Sequence, residues 1–193
     1  MTPSNTAAPT WALLLLDYQH DFLDPAGRMP VAPTHVEPML ASSQLALECA
    51  LKHRAPVVAV SNEFPSSQVI RNLLRRRAAL AGTPGASWDP RIAALGAIRL
   101  AKSKPSAFSN PRLMDLLDAA GVGEVAVAGL YARACITATV EHAVGLGLHV
   151  TVLDDALACR DDRSRAAAVA RMAGFGAEVT TAEKFVAAAN RHV

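Results

Sequence analysis

A chain of 193 residues is long enough to form one domain with a complete hydrophobic core. Its hydrophobic fraction of 51% and formal net charge of +2 exclude an intrinsically disordered chain and argue against a nucleic-acid-binding protein. The cysteines, Cys49, Cys135 and Cys159, are odd in number and too few for a disulfide framework. They fit a reducing compartment, so we expect a cytoplasmic protein.

The first ten residues are rich in Thr, Pro, Ser, Asn and Ala, and this composition predicts a disordered leader. A single domain would then cover residues 11–193. The apolar run that begins at Trp11 stops at Asp17, which makes it too short for a signal peptide or a membrane span. We therefore expect no membrane partner. The run predicts a central strand, over residues 12–16, that is buried on both faces.

Strand-like and helix-like patterns alternate along the rest of the chain. The predicted strands are residues 57–61, 97–101, 125–128, 149–153 and 177–180. The predicted helices are residues 35–53, 66–81, about 111–121, a helix beginning near 135, 164–173 and 181–189. This alternation predicts an α/β fold with a parallel sheet that is covered by helices on both faces.

Cys135 lies in a strand-to-helix turn, because Gly129 separates a buried-strand pattern from apolar residues at helical spacing. The free N–H groups and the dipole at the start of a helix lower the pKa of a thiol and stabilise an oxyanion. Two interpretations are open from this stretch alone. Cys135 is either a nucleophile or a small buried residue, since free cysteines are commonly interior.

Three polar residues follow predicted strands, namely Asp17, Lys104 and Cys135. In parallel sheets ligands bind beyond the carboxyl ends of the strands, which is a reason to consider these residues together. A carboxylate can accept the proton of a thiol, and an ammonium group stabilises the thiolate. Each residue also has a structural interpretation. Asp17 could brace a loop, and Lys104 could be a solvated surface charge.

Four segments, in order between Trp11 and about Phe185, carry a resemblance to a known family. They are Asp17-Tyr-Gln-His-Asp-Phe22, Lys104-Pro-Ser-Ala-Phe108, Gly129-Leu-Tyr-Ala-Arg-Ala-Cys135 and Val152-Leu-Asp-Asp-Ala156. Together they resemble the isochorismatase-like cysteine hydrolases, which include nicotinamidases, N-carbamoylsarcosine amidases and isochorismatase. The resemblance implies a Rossmann-like, three-layer α-β-α fold with a mainly parallel, six-stranded sheet.

The resemblance also implies a catalytic triad of Asp17, Lys104 and Cys135. Asp17 would take the thiol proton, Lys104 would hold the thiolate, and Cys135 would attack an amide, ureide or carbamoyl carbon to form a thioester. A cis peptide bond between Leu130 and Tyr131 would direct the Tyr131 N–H, with that of Cys135, into an oxyanion hole. By the same resemblance Leu130, Tyr131 and Phe22 would contact a small-molecule substrate. For Phe22 the alternative is an ordinary core residue. The chain would be a homo-oligomer, either a dimer or a tetramer.

The sequence departs from parts of this pattern. Asn62-Glu63-Phe64 stands where nicotinamidases have an Asp-x-His metal motif, so we expect no bound metal and no cofactor. Tyr131 and Ala132 are closer to the isochorismatase branch, which lacks the cysteine. The alternatives are therefore a vinyl-ether hydrolase that does not use Cys135, or a ligand-binding protein without activity. Arg75-Arg-Arg77 is interpreted as a solvated helix face, with a position bordering a pocket as the alternative.

Overall fold

The computed structural model describes residues 10–92 and 96–192. The predicted leader lies outside these residues except for Thr10. Six strands form one sheet: β1 (Trp11–Leu16), β2 (Val57–Asn62), β3 (Ile98–Lys102), β4 (Glu124–Gly129), β5 (His149–Leu157) and β6 (Glu178–Thr180). Every neighbouring pair is parallel, and the order is β3-β2-β1-β4-β5-β6. The predicted α/β fold with a six-stranded sheet is confirmed.

Helices cover both faces of this sheet. They are α1 (His20–Leu23), α2 (Pro33–Lys52), α3 (Val69–Leu74), α4 (Arg112–Ala119), α5 (Thr137–Gly145), α6 (Asp162–Gly174) and α7 (Ala182–Ala189). Alternate residues of β1 point to opposite layers. Leu13 and Leu15 pack in a cluster with residues of α2, whereas Leu14 and Leu16 pack in a cluster with residues of α4, α5 and α6. β1 is thus buried on both faces, as its continuous apolar run predicts.

None of the helices in the described residues has the length and apolar character needed to cross a bilayer.

One helix is shorter than predicted. The pattern over residues 66–81 predicts a helix of that length, but α3 ends at Leu74. Arg76, Arg77 and Ala79 have φ angles of 52°, 60° and 52°, which are left-handed and end a right-handed helix. This turn brings the chain back to the sheet, where the Ala79 carbonyl accepts a hydrogen bond from the Phe64 N–H at 3.0 Å.

The strand order reverses between β1 and β4. From β1 the chain adds β2 and β3 on one side of the sheet, and it then adds β4, β5 and β6 on the other. The carboxyl end of the sheet at this reversal is where α/β folds bind ligands. Asp17 directly follows β1, and Cys135 lies a few residues beyond β4.

Gly129 ends β4 in a conformation that only glycine adopts easily. Its φ is +128°, and a Cβ at this position would lie 2.1 Å from the Leu16 carbonyl oxygen. We expect Gly129→Ala to lower the free energy of unfolding by roughly 2–5 kcal/mol, because backbone strain and overpacking add. Urea denaturation measures this change. Gly123→Ala is the control, since a Cβ there has no neighbour within 4 Å. Equal losses in the two variants would contradict the explanation.

Candidate active site

Asp17 occupies a strained position at the end of β1. Its φ is 64°, which non-glycine residues rarely adopt, and its side chain is buried. The Asp17 N–H donates to the Val60 carbonyl at 2.8 Å, which holds the residue against β2. One carboxylate oxygen, Oδ2, lies 3.0 Å from the Lys102 ammonium nitrogen. Strain of this kind persists only where the surroundings fix it, and it is common at functional sites.

The lysine beside Asp17 is Lys102, which corrects the expectation that Lys104 holds this place. Lys102 is the last residue of β3 and pairs in register with Asn62 of β2. Its Nζ donates to Asp17 at 3.0 Å and to Asn62 Oδ1 at 2.8 Å. Lys104 lies beyond the strand and is exposed. The alternation of β3 explains why Lys102 enters the site. Leu100 and Lys102 share the buried face of the strand, while Arg99 and Ala101 are exposed.

Asn62 is a site residue that the sequence reasoning missed. It is the last residue of β2, and its Nδ2 lies 3.6 Å from the Cys135 sulfur. Its Oδ1 accepts from Lys102, so one amide group links the ammonium to the thiol. The sequence pattern that indicates Asn62 is its position at the end of a buried strand, as for Asp17.

Cys135 lies in a π-helical turn, Ala132–Ile136, between β4 and α5. The residue is 9% exposed, against 1% for Asp17 and 3% for Lys102, and is therefore the most accessible of the three. Burial raises the pKa of the thiol to about 11, and the charge of Asp17 adds to this effect, whereas Lys102 and Asn62 oppose it. Burial therefore outweighs the effect of the helix start that the sequence predicts, so the thiol needs a base to lose its proton.

The charges of the three groups balance. Burial raises the pKa of Asp17, although the nearby Lys102 opposes this shift. Burial acts to lower the pKa of Lys102, but the charges of Asp17 and Cys135 outweigh it and raise that pKa. A carboxylate, an ammonium and a thiol have no net charge, and moving the thiol proton to Asp17 preserves that sum. The thiolate that forms is stabilised by the same Lys102 ammonium. The proton transfer therefore leaves no unpaired charge in the buried site.

The other Asp17 oxygen, Oδ1, is buried and accepts no hydrogen bond from the described residues. Buried carboxylate oxygens normally have a donor. Oδ1 is therefore the atom available to accept a proton.

Two further side chains of the Asp17–Phe22 segment position the site. Gln19 donates to the backbone carbonyls of Asn62 and Ala86 at 2.7 and 2.8 Å, and it accepts from the Asn62 N–H at 2.8 Å. Asp21 is buried and accepts from the Ala79 N–H at 2.8 Å. Gln19 ties the end of β2 to the end of β1 and so positions Asn62, whereas Asp21 holds the turn after α3 against the same segment.

The Leu130–Tyr131 peptide bond is cis, at the position that the resemblance indicated. The Tyr131 N–H has no acceptor among the described residues. The Leu130 side chain is fully buried, and Phe22 is 4% exposed, with its ring packed on Tyr131 at a centroid distance of 5.6 Å. Leu130 and Phe22 therefore belong to the hydrophobic core, and their contact with a substrate stays a prediction. The Tyr131 hydroxyl donates to the Met29 carbonyl.

The residues present do not fit the metal motif of nicotinamidases. Asn62 is already bonded to Gln19, Lys102 and Cys135, and Glu63 is exposed. Within residues 10–92 and 96–192, no group of three or more His, Cys, Asp or Glu side chains is placed to hold a metal ion.

A cavity of about 670 Å³ lies near the ends of β2 and β3, and its lining includes Glu63, Trp88 and Arg99. Asp17, Lys102 and Cys135 are not part of that lining. The three groups thus form an enclosed cluster beside the cavity.

The raised pKa of Cys135 predicts a loss of stability in alkali. The thiol has a pKa of about 11 in the folded protein against 9.0 as a reference, so the folded state holds its proton more tightly. This contribution is complete below about pH 9 and is lost as the pH rises towards about 11, up to roughly 2–3 kcal/mol. Urea denaturation across this range should show a shallower decline for Cys135→Ala than for the unmodified protein. Parallel declines would contradict the prediction.

The model of the Isochorismatase domain family matches residues 11–184. The fold is similar to a cysteine hydrolase from Pseudomonas syringae pv. phaseolicola 1448A, with a TM-score of 0.87, 19% identity, and coverage of 95% of this chain and 94% of that one. A search of curated proteins finds no match.

Two similar structures carry the names of amidases. One is the N-carbamoylsarcosine amidase of Thermoplasma acidophilum, with a TM-score of 0.78, 24% identity and coverage of 90% and 97% of the two chains. The other is the pyrazinamidase of Pyrococcus horikoshii in complex with zinc, with a TM-score of 0.79, 24% identity and coverage of 90% and 99%. At these identities the likeness concerns the fold.

Proposed function

Because the chain belongs to the isochorismatase family, we propose that it is a hydrolase that cleaves the C–N bond of a small amide, ureide or carbamoyl compound through Cys135. One observation carries the proposal. Lys102 Nζ donates to Asp17 at 3.0 Å and to Asn62 at 2.8 Å, and Asn62 Nδ2 lies 3.6 Å from the Cys135 sulfur. A carboxylate, an ammonium and a thiol in one buried cluster are the parts of an activated nucleophile.

The reaction begins with transfer of the thiol proton to Asp17. Substrate binding brings the carbonyl carbon to the sulfur, and the thiolate attacks as it forms. Lys102 stabilises the negative charge first on Asp17 and then on the sulfur, and Asn62 donates to the sulfur. A thiol with a raised pKa suits this order, because the proton leaves only when the base and an electrophile are both in place.

The carbonyl oxygen becomes an oxyanion when the sulfur adds. The N–H groups of Tyr131 and Cys135 stabilise it, and loss of one such donor typically costs about 10²–10³ in rate. Asp17 then gives its proton to the leaving amine, and the C–N bond breaks to leave a thioester on Cys135. A water molecule, deprotonated by Asp17, hydrolyses the thioester and restores the thiol.

The choice of a C–N bond over a vinyl ether rests on the cysteine. The thiol lies among a base and two donors, which an ether hydrolase that does not use Cys135 would have no need to assemble. The names of the two amidases with the same fold agree with this choice.

The test is a panel of small primary amides, ureides and carbamoyl compounds, with isochorismate included, assayed for ammonia or product release. We expect ammonia from at least one nitrogen-containing member. Turnover of isochorismate alone would favour the ether hydrolase, and turnover of no member would favour a binding protein. Either outcome would overturn the proposal.

A further inference from the structure

Arg75 is unlike the two arginines that follow it. It comes directly after α3 and is half-buried, whereas Arg76 and Arg77 are exposed. The three residues are therefore not one uniformly solvated face.

An aromatic ring fixes the orientation of the Arg75 guanidinium. The Cζ atom lies 3.7 Å from the centroid of the Phe64 ring, and Phe64 is 7% exposed. The Phe64 backbone is itself held by bonds to Ala79 and Ala81 at 3.0 and 3.1 Å. A guanidinium stacked on a fixed ring keeps its plane while its N–H edge remains free to donate.

The Nη1 nitrogen of Arg75 is buried and has no hydrogen-bond partner among the described residues. Other arginines of the described chain are paired with carboxylates, namely Arg28, Arg91, Arg165 and Arg171. A buried donor of a charged group without an acceptor is costly, and ligands commonly satisfy such groups. The other buried side-chain atoms without a partner among the described residues are all acceptors, namely Asp17 Oδ1 in the reaction centre and the amide oxygens of Gln68 and Asn72.

Arg75 is also connected to the reaction centre. Its stacking partner Phe64 lies two residues after Asn62, whose amide contacts the Cys135 sulfur. Burial and the charge of Arg71 lower the pKa of Arg75, and a negative charge on Cys135 raises it. The geometric connection is the chain segment from Asn62, which contacts the sulfur, to Phe64, which stacks on the guanidinium.

We propose that Arg75 is a specificity-determining residue that binds a carboxylate of the substrate, so that the substrate is a small amide or ureide with a carboxylate at the end remote from the scissile bond. The planar guanidinium and the planar carboxylate form two parallel hydrogen bonds, which neutral groups do not match. The position of the scissile bond rests on the proposed function. The anion subsite itself rests on Arg75 and Phe64.

The test is calorimetric binding to the Cys135→Ala protein, which cannot form the thioester and therefore reports binding whether or not the proposed chemistry is correct. The probes are oxamate, malonamate, succinamate and glutaramate, which place the carboxylate at increasing distances from the amide. Each is compared with the neutral amide in which an isopropyl group replaces the carboxylate. We expect at least one acid to bind about 10-fold or more tightly than its neutral counterpart.

The same preference is then measured after Arg75→Gln, Arg75→Lys and Arg71→Gln. Arg75→Gln should remove it, Arg75→Lys should keep a part, and Arg71→Gln should keep it, because Arg71 is exposed on α3. The proposal is overturned if no acid is preferred, if the preference survives Arg75→Gln, or if Arg71→Gln removes as much. Should Arg75→Gln not fold, an unchanged preference in Arg75→Lys overturns it, since an ammonium lacks the planar donor pair.

Discussion

Replacing Cys135 with alanine is expected to lower kcat/KM for ammonia release by about 10⁴-fold or more, because the nucleophile of a covalent mechanism has no substitute. The residual rate would come from substrate binding and from the N–H groups around the carbonyl oxygen. The measurement uses the best substrate of the panel, with purified protein whose fold is checked by circular dichroism.

Cys49 and Cys159 supply the matched controls, since both are buried free cysteines outside the cluster. Alanine at either position should leave kcat/KM within about threefold of the unmodified protein, as for substitutions away from the reacting groups. An activity that survives in Cys135→Ala would show that the thiol is incidental. The ether-hydrolase alternative predicts that result.

Replacing Lys102 with methionine is the second large effect, with an expected loss of about 10³-fold or more in kcat. Lys102 is buried and donates to both Asp17 and Asn62. Without the ammonium, burial would favour the protonated form of Asp17, and a protonated carboxyl cannot accept the thiol proton. Removal of one partner of a buried ion pair also costs about 3–5 kcal/mol of stability.

Lys104→Met is the matched control, because Lys104 is two residues away and exposed. We expect it to change kcat by less than about twofold and stability by less than about 0.5 kcal/mol. Adding Asp17→Asn to Lys102→Met should restore much of the stability, since it removes the unpaired charge, but it should not restore activity. A larger loss of activity from Lys104→Met than from Lys102→Met would contradict the assigned geometry.

The sheet and most helices could be predicted from the sequence because burial leaves strong periodic patterns. The run of leucines in β1 is buried on both faces, and a continuous apolar run is what such a strand requires. The short α3 could not be predicted. The helix ends because the backbone of Arg76 and Arg77 is left-handed. Arginine has no preference for that conformation, so the sequence does not show where the helix stops.

The location of the candidate site could be predicted in part. Asp17 and Cys135 both lie beyond strand ends at the reversal of strand order, as their position in the sequence indicates. The lysine was assigned two residues too late, because its place depends on where β3 ends and on its register with β2. The raised pKa of the Cys135 thiol also depends on packing, since the sequence shows a helix start but not the burial that outweighs it.

The most direct test of the account is a crystal structure of the protein with the aldehyde analogue of its best amide substrate. The account predicts a covalent bond from the Cys135 sulfur to the aldehyde carbon, with the new oxygen within about 3.2 Å of the Tyr131 and Cys135 nitrogens. An aldehyde that binds beside Asp17 and Lys102 without a bond to that sulfur would contradict it.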